Sequence, residues 1–193
     1  MNNTKDKELM AMSKIKQYNV FNILFPENEG FKIVKNKREQ LMGLDYIIYL
    51  PDGEYGIDLK SLIGPCYESE SVDYREPTHV VANTPAIVIE IEQYTKGHGW
   101  RFTNHENKAT DGVLYYVKDN KREYFMLVDY KEIMDLSYEH KKTLIKDEST
   151  GYYKYQENGR FVQYTSFNNT GKYIRVPIKE LKSAKLFEIW ENK

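Results

Sequence analysis

The chain has a single cysteine, Cys66, in 193 residues. One cysteine excludes an intrachain disulfide framework and fits a reducing compartment. Long apolar runs are missing too, with nothing near the roughly 18 residues that span a bilayer. Residues 1–8 (Met-Asn-Asn-Thr-Lys-Asp-Lys-Glu) lack the apolar stretch of a signal peptide. Together these absences predict a cytoplasmic protein with no membrane partner. Charge of one sign is scarce as well. The 28 Lys and Arg nearly balance the 29 Asp and Glu, for a net charge of −1. A polyanion must therefore be met by a local basic patch. The four histidines (79, 98, 105 and 140) show no metal-ligand spacing, which argues against a zinc site. No phosphate-cradling glycine loop and no serine-hydrolase elbow is present.

Apolar residues make up 40% and charged residues 30%, ordinary for a soluble domain. The length suits one domain over residues 1–193 with a sizeable core. Apolar spacing of three and four predicts a helix from Lys5 to Leu24, ended by Pro26 and Gly30. Phe31–Val34 reads as a short strand. Residues 64–85 read as a long excursion. Ala86–Glu92 is a strand, Tyr94–Asn107 a loop, and Gly112–Val117 with Glu123–Val128 a hairpin. Lys131–Lys142 looks helical. Tyr152–Gln156, Arg160–Phe167 and Lys172–Val176 read as strands, with a hairpin signal at Asn158-Gly159 and a short helix from Pro177 to about Ser183. The expected architecture is α+β around a central mixed sheet flanked by helices, with C-terminal β-hairpin additions.

One hairpin stands out. Gly43–Leu50 leads into Pro51-Asp52-Gly53 and then Glu54–Lys60, with Asp45 on one strand and Asp58 and Lys60 on the next. An acid two residues before a lysine occurs seven times in the chain, so the tripeptide alone decides nothing. Strand context separates Asp58 from the others. A two-residue turn centred on Asp52-Gly53 places Asp45 opposite Lys60 and diagonal to Asp58. With side chains alternating, all three share one face. Two convergent carboxylates suit a hard divalent cation, Mg²⁺ or Mn²⁺, and phosphodiester hydrolysis needs such a cation to offset developing charge. A lysine beside them can position or deprotonate water, or bind the phosphate. Mutual repulsion should raise the pKa of at least one acid. The plainer alternative is a solvated hairpin with an Asp45–Lys60 cross-strand salt bridge.

Asp45, twelve intervening residues and Asp58-Leu59-Lys60 resemble the PD-(D/E)XK, or restriction-endonuclease-like, nucleases. Leu44 stands where many members have proline. Further pieces look like phage and bacterial proteins of that superfamily: Arg38–Asp45, Val88–Ile91, Gly99-Trp100, Lys108–Asp111 and Val176–Ile178, in that order. The resemblance implies a helix-flanked, restriction-endonuclease-like core, Mg²⁺ dependence, DNA as substrate, and a phage or mobile-element origin. It makes Asp45 and Asp58 metal ligands and Lys60 the catalytic lysine. Dimerisation to cut both strands follows the same pattern. Glu8 is the candidate for the acid that the family often adds on its first helix.

Glu90 could complete the metal site from a neighbouring strand, with Glu92 on the same face, or both could be the solvated side of that strand. Lys96, Trp100, Arg101 and Lys108 are the candidate nucleic-acid contacts, through phosphate or base stacking. Trp100 could equally anchor its loop to the core. The competing function on the same fold is a catalytically silent module that binds nucleic acid or a host protein, as an inhibitor or recruitment factor.

Overall fold

A computed structural model describes residues 4–63, 86–95, 99–102, 108–118, 123–146, 153–157, 160–163, 165–167, 171–177 and 181–189, with side chains described at 6–61, 108–118, 123–136 and 181–189. The first elements are α1 (Thr4–Gln17), α2 (Val20–Leu24), β1 (Gly30–Ile33), α3 (Lys37–Leu41), β2 (Tyr46–Leu50) and β3 (Gly53–Ile63). There follow β4 (Ala86–Thr95), β5 (Gly99–Phe102), β6 (Gly112–Lys118), β7 (Glu123–Asp129) and α4 (Tyr130–Thr143). The last are β8 (Leu144–Lys146), β9 (Tyr153–Glu157), β10 (Arg160–Gln163), β11 (Thr165–Phe167), β12 (Gly171–Pro177) and β13 (Lys185–Glu188). The chain packs as two compact units. Met1–Tyr67, Asn107–Lys131 and Ser183–Lys193 form the first; Glu68–Glu106 and Glu132–Lys182 form the second.

The first unit is built on a six-stranded sheet in the order β1-β2-β3-β6-β7-β13. Only the β3–β6 pairing is parallel, which makes the sheet mixed and the class α+β. One face carries Ile48, Ile57, Leu59, Leu114, Tyr116, Phe125 and Leu127, packed with Ala11 and Ile15 of α1 and Val20 and Phe21 of α2. Strands β6 and β7 are buried on both faces, so they read as unbroken apolar runs rather than alternating ones. At the edge, Phe31 of β1 meets Phe21 edge-on at 5.0 Å.

The helix predicted over Lys5–Leu24 is two helices. Asn19 takes the left-handed conformation, φ 53°, which asparagine tolerates better than most residues. The break turns Val20 and Phe21 into the core.

At the far end of the β6–β7 hairpin, Glu123 gathers three donors. Tyr116 Oη donates to it at 2.6 Å, and Lys118 and Lys14 Nζ lie at 2.7 and 3.2 Å. Burial pulls its pKa up, but the Lys118, Tyr116 and Lys14 hydrogen bonds outweigh burial and hold the carboxyl below its usual 4.5. A depressed folded pKa gives stability that is present above the unfolded value and lost as pH falls through the folded one. Glu123→Gln is therefore expected to lower the thermal midpoint at pH 7, with the gap to wild type closing on acidification below about 4.5, in a pH series of thermal melts.

The second unit holds a four-stranded antiparallel sheet, β11-β12-β4-β5, and a three-stranded one, β10-β9-β8. The predicted loop over Tyr94–Asn107 in part continues β4 and in part forms β5, with Tyr94 opposite Trp100. The predicted strand over Arg160–Phe167 is two short ones, β10 and β11. Pro177 closes β12 instead of opening a helix, and residues 181–184 are not helical. The excursion over 64–85, Cys66 included, lies outside the described residues. No helix among the described residues is long and apolar enough to cross a membrane.

Candidate active site

The β2–β3 turn lies one residue earlier than the sequence suggests. Leu50 pairs with Gly53, so Pro51 and Asp52 are the central residues. Proline's fixed φ suits the first central position of a common β-turn. Gly53 follows with φ 149°, a conformation that favours glycine. Every β2 residue consequently pairs two places earlier on β3 than expected: Tyr46 with Ile57, Ile47 with Gly56. An even displacement leaves the faces unchanged. Asp58 and Lys60 still share a face, and the paired ladder ends at Tyr46–Ile57, so Asp45 sits in a bend just before β2 with its carboxylate on the Leu59 amide beside Asp58, not opposite Lys60. The predicted Asp45–Lys60 opposition and the diagonal Asp45–Asp58 relation are both replaced.

The two carboxylates are close enough for the Asp58 charge to bear on Asp45. Asp45 Oδ2 accepts from the Leu59 N–H at 2.8 Å, and the Asp45 N–H donates to Ile57 O at 2.8 Å. Lys60 Nζ lies 2.9 Å from Asp58 Oδ1. Its side chain is 53% exposed, whereas that of Asp58 is 13% exposed. Burial raises the Asp45 pKa above its usual 3.8. The Asp58 charge and the hydrogen bond between the acids add to this, and the Leu59 amide and Lys60 oppose it. Tyr46 is pushed up to about 12 by burial and by Asp45. Tyr115, paired with Lys60 across β3–β6, is buried, and burial followed by the charge of Asp58 keeps its phenol protonated.

For a carboxylate, a raised folded pKa means stability that is lost as pH rises from the unfolded value through the folded one. Asp45→Asn removes that loss and keeps an oxygen for the Leu59 amide. Its thermal midpoint in chelator at pH 7 is expected to exceed that of the wild type, with no gain at pH 3.8 or below. A midpoint at pH 7 equal to or under the wild-type value would count against strain between the acids.

A second segment braces this hairpin. Gly56 N–H donates to Asp111 Oδ2 at 2.7 Å, and the Asp111 N–H to Gly56 O at 2.8 Å. Thr110 Oγ1 bonds Gly56 O and Gly112 O, and the Ala109 N–H donates to Met42 O at 3.0 Å. Gly43, with φ 81°, lies between Lys108 and Asp58: a Cβ there would meet Lys108 Cδ at 3.4 Å and Asp58 Oδ2 at 3.7 Å. Lys108 Nζ donates to Leu41 O at 3.3 Å, at the C-terminus of α3, where a cation is favoured.

Of the residues singled out by sequence, the structure brings Asp45, Asp58, Lys60 and Lys108 together. Glu90 is on β4, paired with Tyr173, in the second unit, and its side chain lies outside the described ones. Trp100 and Arg101 are on β5, also with undescribed side chains, and Lys96 lies outside the described residues. Glu8 is exposed on α1, a helix that packs on the sheet face of Ile57 and Leu59, opposite Asp58 and Lys60. Among the described residues no group of three His, Cys, Asp or Glu is positioned for a metal. The Asp45–Asp58 pair is nonetheless an all-oxygen donor set under mutual repulsion, which suits a hard cation. Sequence reasoning missed the Leu59 amide and Gly56, whose partners are remote in sequence.

No protein-family model, curated protein or solved structure matches this chain.

Proposed function

We propose that this chain is a metal-dependent nuclease of the PD-(D/E)XK type, cytoplasmic and of phage or mobile-element origin, that hydrolyses phosphodiester bonds in DNA. One observation carries the reading: the Asp45 carboxylate, held by the Leu59 amide, lies beside Asp58, and Lys60 Nζ is 2.9 Å from Asp58 on that acid's sheet face. Asp45 and Asp58 would hold Mg²⁺ or Mn²⁺. Bound there, the cation supplies charge neutralisation at the scissile phosphate. Asp45 is oriented by the Leu59 amide, which leaves its second oxygen for a ligand. Lys60 holds a half-exposed ammonium where it can donate to a phosphate oxygen or orient the attacking water. Tyr115 makes a buried, uncharged wall beside it. In this reading the mixed sheet is a restriction-endonuclease-like core, and the chain dimerises to cut both strands.

The Lys60–Asp58 pair also favours a second reading, because the ammonium neutralises one acid without a metal ion. A catalytically silent module binding nucleic acid or a host protein is compatible with it.

The deciding experiment is cleavage of single- and double-stranded DNA and RNA with Mg²⁺ or Mn²⁺, with chelator as control, beside thermal melts of wild type and Asp45→Asn with and without metal. A ligand that binds only the folded state raises its stability. Metal-dependent cutting, with a metal-induced midpoint rise lost in Asp45→Asn, is expected. No cutting and no rise would leave the silent module.

A further inference from the structure

We propose that the segment from Lys32 to Met42 is the DNA-gripping surface of this chain, its cations holding backbone phosphates beside Asp58 and its apolar tip meeting the sugar and base edges. The proposal rests on the nuclease reading of Asp45, Asp58 and Lys60. In a chain of net charge −1, Lys32, Lys35, Lys37 and Arg38 fall within seven residues that contain no acid. All four are exposed, and none forms an ion pair with another described residue. A solvated salt-bridge network would interleave acids; uncompensated cations complement a polyanion.

Topology ties this patch to the site. Lys32 pairs with Ile47, and Ile47 with Gly56, so Lys32 lies on the sheet face of Asp58 and Lys60. The Val34 N–H donates to Asp45 O at 2.9 Å, which sets Lys35 next to the first acid. The segment then returns to Asp45 through Gly43, against the Asp58 carboxylate. It enters and leaves at the candidate site.

The segment is also preorganised. Asn36 Oδ1 accepts from the Arg38 N–H at 2.9 Å, Gln40 Nε2 donates to Val34 O at 2.9 Å, and Lys108 Nζ bonds Leu41 O. At its tip Leu41 is 72% and Met42 38% exposed. Apolar side chains set among phosphate-binding cations are a recurring way to press on base steps. The cations border Asp45 and Asp58, where the proposed reading places the scissile phosphate, which favours DNA over an anionic membrane.

The test is fluorescence anisotropy of a labelled duplex with the full chain in chelator, across a salt series. Each phosphate contact contributes about 0.9 to the slope of log affinity against log salt. Lys35→Ala/Lys37→Ala/Arg38→Ala is expected to lose at least about tenfold in affinity and about 2.7 in slope. Lys37→Ala alone, at an exposed helix start, is expected to lose about 0.9 and guards against misfolding of the triple variant. Leu41→Ser should weaken binding with the slope unchanged. Wild type that binds through these cations yet never cuts with Mg²⁺ would sustain this surface and remove the nuclease reading. Unchanged affinity and slope in both charge variants, or wild type that binds phosphatidylserine vesicles and not DNA, would overturn the surface even if cleavage is found.

Discussion

Replacing Lys60 by Ala is expected to lower metal-dependent cleavage by about 10²- to 10⁴-fold, the usual range for losing a group that handles a proton or its water, while the protein stays folded. The side chain is 53% exposed and makes its contact with Asp58 on the strand surface. Exposed positions away from ion pairs usually stay within about 0.5 kcal/mol in stability; losing the partner of the mostly buried Asp58 carboxylate adds a cost that the thermal melt reads. The loss should be electrostatic as well: Lys60 holds the Asp45 pKa down, so its removal raises the proton affinity of that acid further and weakens its grip on a cation. Asp58→Ala should be as damaging. Lys60→Arg separates two roles, because a guanidinium keeps its charge but does not release a proton. Recovery by arginine would assign Lys60 to phosphate binding; failure would assign it to water. Single-turnover cleavage beside a thermal melt reads both quantities. A folded Lys60→Ala protein that cuts at the wild-type rate would dismiss the assignment.

Gly56→Ala is expected to destabilise the fold by about 1–3 kcal/mol, the cost of forcing a methyl into a packed site, and to lower cleavage in what remains folded. A Cβ there would lie 2.5 Å from Leu44 Cδ2 and 2.8 Å from Ala109 O. Leu44 can rotate away, but the Ala109 carbonyl belongs to a backbone fixed by the Met42 and Gly56 hydrogen bonds around it. Relief therefore moves residues 108–111 off the hairpin, and with them the Asp111 and Thr110 bonds to Gly56 that brace it. Urea denaturation gives the stability change. A wild-type midpoint would show that this segment yields freely.

The sheet face shared by Asp58 and Lys60 was legible because strand alternation has period two and survives an even slip in pairing. The register itself was not, because Pro-Asp-Gly offers two turn placements and only proline's preferred position separates them. The Asn19 break was hidden, since apolar spacing runs on through α2 and a positive φ leaves no periodic mark. Strand β5 was hidden by Gly97 and Gly99, which read as loop, and β13 by its brevity and exposed surface. The brace at Gly56 joins residues 54 and 55 positions apart, a distance over which local pattern carries no information. Of the candidate site, the acids and the lysine could be read from the chain; the amide that orients Asp45 and the glycines that let the segments approach could not.

The parallel pairing of β3 with β6 also sets an order of assembly. β2 and β3 are joined by a two-residue turn, and such hairpins close in roughly 1–10 μs. β6 cannot dock until residues 64–111 have been made and folded back, and such distant pairings are slow to form. During synthesis, at about 5–20 residues per second, Asp45, Asp58 and Lys60 leave the ribosome seconds before the strand and the Lys108–Asp111 brace that lock them. The nascent chain thus carries these two acids and the lysine early on a hairpin that lacks its neighbouring strand, and their final arrangement dates from the closing of the sheet.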